Sequence, residues 1–245
     1  MSRSDDVLNR AHLRRSSDEV VEVALPRPGP DRRSLSGRTA SLEPLDPDRH
    51  APDLYPLLHG DADRERVWDY LPYGPYPDRQ SYLADLRTWA AGRDPLWFAI
   101  RSPARGRVEG VATYLEIRPE HGVIEIGHIC LSAALQNTVE ATEGLYMLMR
   151  HAMTDLGYRR LEWKCNALNQ GSRRAAGRLG FSYEGTFFQH MVTKGRNRDT
   201  AWFSILDRDW PAIDANFRRW LDPSNFDGQG RQRTRLIDSR REAQS

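Results

Sequence analysis

Three strand-like runs joined by very short turns constrain this chain more than any other feature. LWFAI (96–100), VEGVATYLEI (108–117) and VIEIGHICL (123–131) are rich in β-branched and aromatic residues, and SPARGR (102–107) and RPEHG (118–122) separate them. A parallel crossover takes about a dozen residues or more, so these turns predict an antiparallel meander. Apolar residues then recur at 141, 145, 148, 149, 152 and 156, the stripe of a helix over 137–156 that stops at Gly157. RRLEWKCN (159–166) alternates with Leu161, Trp163 and Cys165 on one face, and a helix over 169–179 follows, stopped by Gly180. A further strand region starts at 181–183. FFQHMV (187–192), a turn at KGRNRD (194–199) and TAWFSIL (200–206) predict a last hairpin, and 211–221 a closing helix. Upstream, 61–71 and 77–91 have helical spacing. The pattern is α+β: a single domain with a mixed, mainly antiparallel sheet and flanking helices.

The ends read differently. Residues 1–40 mix Arg, Asp, Ser and Pro without an apolar period, and 223–245 do the same, which predicts two disordered tails around a domain at 41–222. Net charge is +2 in 245 residues, so no dedicated nucleic-acid binder is expected. Lys164 and Lys194 are the only lysines among 36 basic residues; such Arg usage suits phosphate and carboxylate contacts and equally follows from compositional bias. Cys130 and Cys165 sit in apolar runs without metal-ligand spacing, which points to a reducing, cytoplasmic setting and no metal. No stretch approaches a membrane span, and the N-terminal residues carry no apolar h-region.

Four pieces together resemble the GNAT acetyltransferases, in particular their RimJ/RimL-type branch. They are Glu125-Ile126-Gly127-His128; the loop-to-helix segment Gln136 to Glu143; Asn169-Gln170-Gly171-Ser172 opening a helix that ends Leu179-Gly180-Phe181; and Tyr183-Glu184-Gly185 before the last hairpin. The resemblance runs from about Asp46 to Trp210 and implies a GNAT-like fold, acetyl-CoA as co-substrate and an amine acceptor, small molecule or protein. A homodimer is compatible with it. It also implies a splay between strands 123–131 and 159–166, with pantetheine held at Ile129 and Leu131 like an added strand. The backbone around Gln136, Asn137, Val139, Ala141 and Thr142 would receive the pyrophosphate at a helix N-terminus. Asn169 would contact the cofactor as well as cap its helix, and Ser172 would protonate the leaving thiolate, unless it is plain helix surface.

The loop departs from the family pattern Gln/Arg-x-x-Gly-x-Gly/Ala. Val139 stands where Gly is usual and lacks its freedom at positive φ, and Glu140 brings negative charge to the first turn, where it would repel phosphate. Asn137 and Glu140 also fit a capping box. These departures keep open a second reading, a weak or inactive binding protein on the same fold. A protonated amine needs a base, and Glu125, His128, Glu162, Glu184 and His190 are the candidates, with His128 foremost for its place on the strand at the cleft. The aromatic cluster Trp68, Tyr70, Tyr73 and Tyr76 is either an acceptor wall or ordinary packing under a loop. KGRNRD (194–199) is either a tight turn or a basic contact for the acceptor or a facing subunit.

Overall fold

The computed structural model describes residues 20–236. Among them the eight strands are β1 (Leu35–Ser36), β2 (Ser41–Pro44), β3 (Leu96–Ser102), β4 (Arg107–Arg118), β5 (Val123–Leu131), β6 (Arg160–Asn166), β7 (Ser182–Thr193) and β8 (Arg196–Leu206). They form one sheet in the order β1-β2-β3-β4-β5-β6-β8-β7. Every neighbouring pair is antiparallel except β5 with β6, so the expected mixed α+β fold is present. The helices are α1 (Pro47–Leu58), α2 (Ala62–Glu65), α3 (Arg79–Ala91), α4 (Val139–Arg150), α5 (Gln170–Leu179) and α6 (Trp210–Leu221).

Alternation along the central strands explains the layers. On β3, Phe98 and Ile100 face one way and Trp97 and Ala99 the other, and all four are buried. The first pair joins Tyr114, Ile124, Leu145, Met149, Trp163 and Phe217 in the core beneath α4 and α6. The second joins Leu54, Leu58, Trp68, Tyr82, Leu86 and Cys130 beneath α1 and α3. A strand covered on both faces reads as a continuous apolar run, which is why LWFAI does not alternate in hydrophobicity.

Several elements differ from the expectation. α1 is not foreseen, because Pro52 and Pro56 lie inside it and proline argues against a helix interior. Its start is nonetheless well made, with Asp46 capping Arg49 N–H and Pro47 in the first turn. Over 61–71 the helix is only α2 followed by a 3-10 turn at Arg66–Trp68. The last hairpin turns on two residues, Lys194 (φ 50°) and Gly195 (φ 72°), between the paired Thr193 and Arg196. Two left-handed residues match the twist of the flanking strands, so both strands run longer than the sequence suggests.

The tails are corrected as well. Residues 1–19 and 237–245 lie outside the described residues. The rest of the expected N-terminal arm is docked as far as its junction with β2. Glu143, buried on α4, accepts the backbone N–H groups of Arg38 (2.8 Å), Thr39 (2.5 Å) and Ala40 (3.0 Å), and the Thr39 hydroxyl (2.5 Å). Gly37 permits this approach, since a Cβ there would lie 2.6 Å from the Glu143 carboxyl carbon. Arg33 pairs with Asp155 (3.2 Å). On the C-terminal side Gln232 accepts from Trp220 Nε1 (2.9 Å) and Leu236 is buried. Contacts with groups distant in sequence, most of them polar, hold both segments, and an apolar period cannot report them.

Glu143 and the arm should therefore be coupled. Deleting residues 1–40 leaves a buried carboxylate without its donors, at a cost of about 2–4 kcal/mol and a Tm several degrees lower. Glu143→Gln should lower Tm too, and in the truncated chain the same substitution should cost almost nothing further. Thermal denaturation of the four proteins measures this; full additivity would show that the arm is held by something else.

Candidate active site

The site begins where the sheet stops being a sheet. β5 and β6 pair through three rungs only, Val123↔Arg160, Ile124↔Leu161 and Glu125↔Glu162. Past Glu125 the two strands separate. The cause lies on the other side of β5: its register with β4 shifts between Cys130↔Val111 and Gly127↔Thr113, leaving one extra residue on β5. His128 sits inside that bulge with φ 48°, left-handed for a non-glycine. The strand bends, and a cleft of about 1240 Å³ opens between β5 and β6. Backbone groups on the β5 edge beyond Glu125 have lost their strand partner, which suits an extended, amide-rich ligand.

The cleft gathers most of the residues singled out from the sequence. His128, Ile129, Leu131, Gln136, Asn137, Ala141, Thr142, Asn169 and Ser172 all line it. Val139 does not; it packs against the core. The loop also starts its helix differently. Thr138, not Asn137, is the cap, its hydroxyl accepting Ala141 N–H at 3.1 Å, and Asn137 before it takes φ 60°. Asn tolerates the left-handed region and β-branched Val does not, so the positive φ falls on Asn137 and Val139 occupies an ordinary helical position. The first-turn N–H groups of Val139 and Glu140 have no intrahelical acceptor, as at any helix N-terminus. Glu140 is turned to Arg105, Oε1 to Nη1 3.4 Å, instead of capping Asn137. Gln136 folds back, its Nε2 donating to the Leu131 carbonyl (3.0 Å).

Two cations at this end are missed from sequence. Arg178 donates to Thr142 Oγ1 (2.5 Å), and Arg174, one turn earlier on α5, lines the same wall. Their i,i+4 spacing on a helix opening at the cleft is the signal that could have found them. Asn169 caps α5 as expected, accepting Ser172 N–H at 3.0 Å. The Ser172 hydroxyl accepts from Trp163 Nε1 (2.9 Å), which points its oxygen at β6 and leaves its own hydrogen to donate.

The base candidates divide. Glu125, His128 and His190 line the cleft, whereas Glu184 is held by both Arg160 terminal nitrogens and by Ser204. Glu162 lies between Arg118, Arg160 and Lys164, bonding the first two at 2.7 Å each. Glu125 is the end of that network, 2.8 Å from Lys164 Nζ, yet burial pushes its carboxyl up to about 7 against the pull of the lysine. His128 is the reverse case: burial first, then the Arg198 charge, hold its imidazole down to about 4. The ring stacks against both Tyr73 and Trp97, at 5.5 Å and 5.2 Å, and its Nδ1 is hydrogen-bonded to the Tyr73 hydroxyl (2.9 Å). His190 shares a hydrogen bond with Thr200 (3.0 Å).

The two readings of the aromatic cluster each hold for some of its members. Trp68 is buried, donating to the Leu58 carbonyl (2.8 Å), and Tyr76 donates to Asp85 (2.6 Å); both pack the loop. Tyr70 lines the cleft and Tyr73 touches it through His128. The basic turn ties the same loop down, Lys194 Nζ donating to the Trp68 carbonyl (2.8 Å).

Residues 41–182 match the acetyltransferase (GNAT) domain. A GCN5-related N-acetyltransferase from Brucella melitensis is 41% identical, over 90% of this chain and 100% of its own, with a TM-score of 0.87. A probable GNAT-family acetyltransferase from Chromobacterium violaceum is 37% identical over 80% of this chain and 97% of its own, TM-score 0.73. An acetyl transferase from Salmonella typhimurium that modifies the N-terminal serine of ribosomal protein L7/L12 is 21% identical, TM-score 0.62, a likeness of fold alone. No curated protein matches.

The geometry at the head of α4 separates two substitutions. Arg178→Gln should weaken coenzyme A binding about tenfold at low salt, and the loss should shrink as salt rises. Glu140→Gln should leave affinity unchanged, because its carboxylate already faces Arg105. Calorimetry on both variants checks this; tighter binding by Glu140→Gln would place that carboxylate at the phosphates after all.

Proposed function

The chain belongs to the GNAT acetyltransferase family, and from that premise we propose that it transfers an acetyl group from acetyl-CoA to an amine by direct attack in a ternary complex. The observation that carries the proposal is the junction of β5 and β6, where Glu125 and Ser172 line one cleft whose far end is a helix N-terminus flanked by Arg178.

The fit of a coenzyme A thioester rests on this chain's groups. The N–H groups opening α4, with Thr142, Arg174 and Arg178, suit the phosphates. The released edge of β5 near Ile129 suits pantetheine, whereas the Leu131 carbonyl is already engaged by Gln136. Bound acetyl-CoA supplies an activated acyl carbon and a thiolate leaving group.

Glu125 takes the proton that an ammonium acceptor must lose before its nitrogen can form the new C–N bond. A carboxyl near 7 is ionised in half the molecules at neutral pH, and Lys164 keeps Glu162 (3.3 Å) as partner when Glu125 is protonated. His128 is too weak a base at about 4 and serves as a neutral wall braced by Tyr73 and Trp97. Ser172 donates to the sulfur as the C–S bond breaks, its oxygen fixed by Trp163. Neither cysteine is used as a relay: burial raises both thiols, Cys130 on the far face of the sheet and Cys165 against Ser172. The ground for an inactive binding protein was Val139 and Glu140, and neither faces the cleft.

The pH dependence tests the base. A carboxyl works as a base only when ionised, so kcat/KM should rise through pH 7 and level off, apart from the slope contributed by the amine itself. Glu125→Gln should remove that step and lower kcat by about two orders of magnitude or more. Ser172→Ala should lower kcat more than KM. A wild-type profile without a step near 7, or a step surviving in Glu125→Gln, would return the base to another group.

A further inference from the structure

Arg198 is a cation of the cleft that acetyl transfer leaves unused. It stands on β8 beyond Thr200, the last residue registered with β6, so it lies past the end of that strand. It lines the cleft together with Glu125, His128 and Cys165. Among the described residues it has neither an ion pair nor a hydrogen bond, and its Nε is enclosed without a partner. The other half-buried cations here are satisfied: Lys164 by Glu125 and Glu162, Arg178 by Thr142. A half-buried guanidinium without an anion is costly, and a ligand oxyanion at its outer nitrogens removes that cost.

Its neighbours define the ligand. Asp69, Glu116 and Glu125 line the same cleft. Carboxylates in the same cleft as an unpaired guanidinium disfavour a dianionic phosphate and tolerate a monoanion, provided that the ligand also brings a cation for them. Building on the acetyl-transfer reading, we propose that the acceptor is a small amino acid-like zwitterion, its ammonium beside Glu125 and its carboxylate on Arg198. Glu125 and Arg198 line one cleft, so a single small molecule carrying both an amine and a carboxylate can engage the two together. A protein N-terminus, whose nearest carboxyl is tied up as an amide, lacks the second group.

The test is acetyl transfer, followed by thiol release, over free amino acids, their carboxamides and short peptides, with acetyl-CoA binding measured in parallel. For the preferred amino acid, kcat/KM should exceed that of its carboxamide by about tenfold or more, because the amide leaves Arg198 unpaired. Arg198→Gln should abolish the preference without changing acetyl-CoA affinity, and Arg198→Lys should retain part of it. If Arg198→Gln does not fold, the Arg198→Lys ratio decides, and it must be smaller than that of the wild type. Equal rates with carboxamides or peptides, a preference that survives both variants, or no transfer to any free amino acid by protein that binds acetyl-CoA would overturn the proposal. Failure to bind acetyl-CoA at all would remove the underlying acetyl-transfer reading and the acceptor proposal with it.

Discussion

Three rungs of parallel pairing between β5 and β6 hold the two halves of the sheet together, and everything functional depends on their ending at Glu125. Fewer rungs would leave β6, β8 and β7 without a firm junction to the meander. More rungs would close the cleft. The limit is set from the β4 side, where one extra residue on β5 puts His128 in a left-handed conformation and turns the strand aside. Gly127, just before it, is part of the same device: a Cβ there would meet Leu115 Cδ2 at 2.8 Å.

The junction is also where charge is concentrated. Glu125 and Glu162 face each other across the last rung, and like charges so placed repel unless cations intervene. Lys164 lies between them, while Arg118 and Arg160 complete the shell of Glu162. Arg160 in turn reaches Glu184 on β7, two strands away. A network of this kind ties four strands together, and its inner end, Glu125, is the member least compensated for burial. The same arrangement that secures the fork thus leaves a carboxyl poised near neutrality at its mouth.

Helix α4 is held from both sides. Ala141 and Thr142 in its first turns line the cleft, and Glu143, next in sequence, grips the backbone of 38–40. The tyrosine hydroxyl of Tyr146 reaches Asp214 on α6 (2.6 Å). Residues that line a cleft from a helix are only as well placed as that helix, so these distant contacts bear on the cleft.

The sequence by itself determined the strand meander and the helix-strand-helix order, because periodicity, glycine stops and an Asn cap are local properties of the chain. Asn169 was legible as a cap for that reason, whereas Gln136, Thr142 and Ser172 were picked out by the resemblance to a known family. It did not determine where one unit meets another. Glu125 reads as one more alternating strand residue until β6 brings Lys164 and Glu162 against it. Arg198 reads as part of a basic turn until the hairpin carries it past β6, and residues 38–40 read as the end of a loose arm until Glu143 collects their N–H groups. Burial, ion pairing and the direction of a side chain depend on groups that are distant in sequence, and only the tertiary structure decided them.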